Sequence, residues 1–237
     1  MVQCPRRVGF MRWLGVLAGG VVCVAGVRAH DYWVDAGTLR PHPGKNLSVW
    51  VTGGHRFPEV ELPLNPRLLR DVSLVTADRD RTAIEVHVGE DRRHLGLVTV
   101  PDEPGAYLLE MTIQHPRQER PRYMGRAILV TPGAKTGPSD YAIGHGLEIV
   151  PETSLDKFPA DGELPLSVLK NGESRSATLT VYPSGERPVV ARAAEDHPAR
   201  IAIDPGRKYL VVSAVDRIPV SLVFSVGEKL PAGNDNP

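Results

Sequence analysis

After its first 29 residues this chain has no cysteine, because Cys4 and Cys23 both fall inside that opening segment. The remainder can form no disulfide and offers no thiolate nucleophile or soft sulfur ligand. Any metal site there must use histidine, carboxylate, amine or backbone donors. Aromatic residues make up only 5% of the chain, and no basic patch stands out. The opening segment holds four of the 28 basic residues and none of the 28 acidic ones, so the remainder is net acidic. Both features disfavour nucleic acid as a partner. Enzymatic motifs are missing too: there is no Gly-x-Ser-x-Gly elbow, no His-Glu-x-x-His and no P-loop. The carboxylates are scattered and form no evident acid–base couple. These absences point to binding rather than to an enzyme.

What is present begins at the amino end. Arg6, Arg7 and Arg12 precede an uncharged apolar run, Trp13 to Val27, and Val27 and Ala29 are small residues spaced as at a signal-peptidase site. Residues 1–29 are read as a signal peptide. The run is shorter than the roughly 20 residues a membrane-spanning helix needs. The expected location is the periplasm, with no membrane span in the mature chain. A cut after Ala29 makes His30 the first residue.

The rest reads as all-β. Short runs rich in Val, Ile, Leu and Tyr alternate with Pro, Gly, Asn and Asp. Strands are expected over 47–52, 71–76, 83–88, 95–100, 106–113 and 122–130, then over 147–150, 163–169, 177–182, 189–193, 200–203, 209–215 and 220–226. Asn171-Gly172 is a hairpin signal. The Pro- and Gly-rich stretch 131–139 reads as a linker. Two tandem immunoglobulin-like or transthyretin-like β-sandwich domains are therefore expected, at 30–133 and 145–228.

Three motifs carry a family likeness: Ala29-His30-Asp31-Tyr32-Trp33-Val34, Gly54-His55-Arg56-Phe57-Pro58, and the stretch from Gly144-His145-Gly146 to Pro151 with Gly162-Glu163-Leu164-Pro165-Leu166 after it. With them the chain resembles the domain-of-unknown-function 4198 family. These are exported bacterial proteins often labelled as periplasmic components of nickel and cobalt uptake systems. The resemblance implies an exported β-sandwich protein linked to divalent transition metals, with a membrane transporter component as partner. The acidic residues Glu59 and Glu61 follow the second motif in a brief segment.

The candidate metal ligands are His30, His55 and His145. As a terminal residue, His30 offers its α-amine and its Nδ1, which can close a chelate ring on one ion. A further imidazole would complete a three-nitrogen site suited to Cu(II) or Ni(II). His55 follows Gly53-Gly54, where a turn gives the ring room, and antiparallel pairing would bring it toward residue 30. His145 lies at the expected domain junction, where ligand sites are common. Asp31 and Asp35 read as solvated strand-edge charges or as acceptors for an imidazole N–H. His42, His87, His94, His115 and His197 read as surface or turn residues, and Trp33 and Trp50 as packing.

The expected function is binding of divalent nickel, cobalt or copper. One competing reading is an interaction module without metal. Another is a copper-dependent oxidase built on the terminal histidine, which would need a flat face of exposed aromatics.

Overall fold

The computed structural model describes residues 31–59, 61, 64–89, 94–114 and 123–227. Residues 1–29, read above as a signal peptide, together with His30 and His115 lie outside the described residues. In chain order the strands are β1 (Asp31–Ala36), β2 (Asn46–Gly54), β3 (Leu69–Val75), β4 (Arg81–Ala83), β5 (Val86–Val88), β6 (His94–Thr99), β7 (Ala106–Ile113) and β8 (Tyr123–Val130). Then follow a short helix α1 (Pro138–Tyr141) and β9 (Leu147–Pro151), β10 (Glu163–Lys170), β11 (Glu173–Ser174), β12 (Ala177–Pro183), β13 (Val189–Ala193), β14 (Ala199–Ala202), β15 (Lys208–Val215) and β16 (Ile218–Ser225). The all-β, sandwich-like class expected from sequence is what forms. Among the described residues no helix is long and apolar enough to cross a membrane.

The strands make three sheets. An eight-stranded sheet runs β13-β12-β15-β16-β8-β7-β3-β4, a four-stranded sheet runs β1-β2-β6-β5, and β9, β10, β11 and β14 form the third. The large sheet is apolar on both faces. Along β7, Ala106 and Leu108 enter one core, while Tyr107, Leu109, Met111 and Ile113 enter the other. Alternate residues of a strand point to opposite faces, so this sheet is the middle layer. Its inner strands β7, β8, β15 and β16 are buried along most of their length, as expected where both faces are covered. The outer strand β10 alternates instead and buries every second residue over most of its length.

The two halves of the chain meet inside this central sheet. β8 and β16 pair in parallel, with Val220 opposite Met124 and Val223 opposite Ala127. Leu210, Val212 and Val223 from the second half enter the core beneath β1 and β2. Val75, Leu108, Ile128 and Val130 from the first half enter the other. The stretch 131–139 is packed rather than a loose tether. Ala134 is buried, the Thr131 hydroxyl accepts from Gly105 N at 2.7 Å, and Thr136 bonds Ser154 at 2.9 Å.

Two local expectations are corrected. The run 83–88 is not one strand: β4 pairs with β3 in the central sheet, and β5 pairs with β6 in an outer one. The chain changes sheets at Ile84-Glu85, so the alternation is real but spans a crossover. Asp35 is not a solvated edge charge. It is buried, and Lys208 Nζ reaches its two oxygens at 2.8 and 3.0 Å. The Lys208 amine also lies 5.8 Å from the centre of the Trp50 ring. Replacing Lys208 by methionine keeps the stem's packing and removes the cation from a buried carboxylate. It is expected to cost about 2–3 kcal/mol, read as a lowered urea midpoint with unchanged m-value.

Candidate functional site

The end of the β1–β2 ladder is built from residues that leave little freedom. The strands pair antiparallel with Asp31 opposite Gly54 and Tyr32 opposite Gly53. A Cβ on Gly53 would stand 2.6 Å from Tyr32 Cδ1, so only glycine lets the aromatic ring lie across the strand. Tyr32 in turn meets Tyr123 edge to face at 5.7 Å, and its carbonyl accepts from Ser221 Oγ at 2.8 Å. The Tyr182 hydroxyl donates to Asp31 Oδ2 at 3.1 Å. Burial, and then the Asp31 charge, push the Tyr123 hydroxyl pKa far up, so it stays neutral. Trp33 is buried and meets Phe57 edge to face at 5.7 Å, which pins the start of the loop after β2.

That loop folds back over the strand end. Glu61 N donates to Gly53 O at 3.2 Å. Glu61 Oε2 accepts from His55 N at 3.0 Å and lies 2.7 Å from His55 Nδ1. The His55 side chain is 53% exposed. With Nδ1–H donating to the carboxylate, the ring is oriented and Nε2 carries the lone pair. A carboxylate behind an imidazole in this way fixes its tautomer and ring orientation, as around metal-ligating histidines. The bonds from the His55 side chain and then its backbone hold the Glu61 carboxyl below its usual range. The contact is therefore fully formed above the ordinary carboxylate range and is lost as pH falls through that lowered value.

His145 lies elsewhere. It is exposed in the loop between α1 and β9, within the third sheet's layer, whereas His55 follows a strand of the opposite layer. Gly144 and Gly146 flank it at φ 84° and 73°. Glu148, fully buried, accepts from Ile143 N at 2.7 Å and Gly144 N at 2.8 Å. The Gly-His-Gly-Leu-Glu motif thus has a structural reading: two glycines permit the turn and the glutamate ties it down. Among the described residues no group of three His, Cys, Asp or Glu side chains could hold a metal ion. His55 and His145 are not brought together.

Of the remaining histidines, His94 departs from expectation. It is 2% exposed, and its Nε2 bonds the Leu64 carbonyl at 2.8 Å. That bond is what allows an imidazole to occupy an inward position of β6. His42, His87 and His197 are exposed.

The pairing of His55 with Glu61, six residues on, had no periodic signature. The sequence signal for it was only an acidic residue soon after a glycine-histidine turn.

A family model described as "Domain of unknown function (DUF4198)" matches residues 27–207. The chain belongs to the DUF4198 family. The match spans all three histidine motifs. No curated protein matches this DUF4198 chain. Among solved structures it is similar to the tetra-tandem repeat of the extending region of a large adhesion protein, at 15% identity and TM-score 0.31, covering 84% of this chain and 49% of that one. It is similar to a DUF4785 family protein from Legionella pneumophila, at 14% identity and TM-score 0.30, covering 76% and 50%. It is also similar to the Escherichia coli adhesin FdeC, at 12% identity and TM-score 0.29, covering 85% and 66%. The chain thus spans about half the length of the first two.

Proposed function

We propose that this protein is exported to the periplasm and there binds a divalent transition-metal ion, as an accessory to metal uptake or handling. Nickel or cobalt is the favoured ion, with copper next. The role is binding and presentation to a membrane transporter component rather than catalysis. The reading is carried by the β1–β2 register. Asp31 sits opposite Gly54, and the residues next in sequence beyond that pair are His30 and His55. A leader cut after Ala29 would give His30 its α-amine. The proposed donors are that amine, the His30 Nδ1 and the His55 Nε2, with Glu61 orienting His55. His145 is not part of this set, because it lies in a different layer.

The donor chemistry fits such an ion. Three nitrogens suit Ni(II) and Cu(II), and each must shed or lack a proton to bind. With a reference pKa of about 7.7–8.0 for an α-amine, affinity should fall at least tenfold from pH 8 to pH 6.

The test is intact-mass spectrometry and calorimetric titration with Ni(II), Co(II) and Cu(II) on protein exported by its own leader. The mature mass is expected to start at His30, and one ion is expected to bind. His55→Ala should abolish that binding, and Glu61→Gln should weaken it by about 10–100-fold. A mature chain beginning elsewhere, or unchanged affinity in His55→Ala, would overturn the reading.

A further inference from the structure

A groove of about 710 Å³ opens between the start of β1 and the strands β12, β13 and β15 of the central sheet. Its walls include Asp31 from β1, Ser176 and Thr178 at the start of β12, Arg192 from β13 and Arg217 from the β15–β16 turn. Register explains the grouping. Thr178 is opposite Arg192 on the paired strands, so both side chains leave the same face of the sheet.

Two features set this groove apart from an ordinary polar surface. The first is charge. Arg81, Arg126, Arg175, Arg200 and Arg207 are all committed to ion pairs. Arg192 and Arg217 are exposed, line the same groove, and have no ion pair or side-chain hydrogen bond among the described residues. The second is backbone strain. Asp216 and Arg217 both have positive φ, 53° and 64°. The other hairpin of this shape uses Asn171-Gly172, at 54° and 81°, the usual sequence for such a turn. A bulky residue in this conformation is an outlier. Asp216 is held there by Lys170, and the turn aims a guanidinium where glycine would relax it.

We propose that this groove is a binding site for a small organic acid. Its carboxylate is taken by Arg192 and Arg217, whose planar forks suit bidentate contact. The exposed hydroxyls of Ser176 and Thr178 supply further donors. The groove's volume falls within the range of small-molecule sites. The site uses none of the proposed metal donors and requires no metal.

The experiment is calorimetric titration of exported, chelator-treated protein with succinate, citrate and histidine in turn. At least one is expected to bind with a stoichiometry of one. Histidine above citrate would identify the zwitterionic class, and succinate or citrate above histidine the plain acids. Arg192→Gln with Arg217→Gln should weaken binding by about tenfold or more. Arg217→Gly alone should weaken it while leaving the thermal midpoint unchanged or higher, because the turn relaxes. If none of the three probes binds, or if the double variant binds like the unmodified protein, the inference is overturned. Because no metal is present, either result is independent of the metal-binding reading.

Discussion

Replacing Arg126 by alanine is expected to destabilise the protein by about 3–5 kcal/mol, the range for breaking a buried ion pair from one side. Arg126 is 2% exposed and lies between two carboxylates. Its Nε donates to Glu110 Oε1 at 2.6 Å, and its Nη1 lies 2.6 Å from Glu148 Oε2. Nη1 makes no well-directed hydrogen bond in spite of that short distance, so charge rather than bond geometry holds the Glu148 side. Arg81 approaches Glu110 from the rim at 2.7 Å and is half-exposed. Glu148 has no solvent access. Without Arg126 it would be a carboxylate buried between two sheets, its charge offset, among the described residues, by the amides of Ile143 and Gly144.

The sign of a second variant separates charge from packing. Desolvating ions costs several kcal/mol each, so replacing a whole buried network by apolar side chains is often neutral. Arg126→Met combined with Glu110→Leu and Glu148→Leu should therefore lose much less stability than Arg126→Ala alone, as read from urea midpoints. If the triple variant is the worse of the two, the network itself is the main stabiliser. The triple variant should also free the loop that carries His145, seen as faster amide exchange at Ile143 and Gly144.

The network shows what was readable in the chain and what was not. Glu110, Arg126 and Glu148 are each the only charged residue of an otherwise apolar strand. A lone charge in a strand buried on both faces must find a partner, and two negatives and a positive form an obvious set. Reading strands one at a time hides that, because their meeting depends on sheet order. Strand positions were legible for the same local reason that sheet order was not: periodicity and turn residues act over a few positions, whereas β8 and β16 meet across about half the chain. β1 was the strand most easily overlooked. Asp31 and Asp35 break its apolar pattern, and the cation that pairs with the buried Asp35 is Lys208, far along the sequence. Of the candidate site, the glycine-histidine turn was legible, and the return of Glu61 onto it was not.

The largest effect is expected from cutting the chain. A fragment ending after residue 133, although it contains a full set of first-half strands, should fail to fold. Removal of β16 would leave β8 as an unpaired edge over Tyr123–Val130, a run buried almost throughout and prone to intermolecular pairing. Leu210, Val212 and Val223 would vanish from the core beneath β1 and β2. Val75, Leu108, Ile128 and Val130 would lose the layer that covers them. At about 1.5–3 kcal/mol for each fully buried side chain, uncovering those four alone is on the order of 6–12 kcal/mol, which equals the whole stability of a typical domain. Polar ties across the halves would go too: Lys208 to Asp35, Ser221 to the Tyr32 carbonyl at 2.8 Å, and Arg40 Nη2 to the Ser225 carbonyl at 3.3 Å. The full chain should accordingly unfold in one cooperative transition, with near-UV and far-UV dichroism superimposing along a urea titration. Two resolved transitions, or a soluble fragment with native-like dichroism, would show instead that each half is a self-sufficient domain and that the shared sheet is only a contact between them.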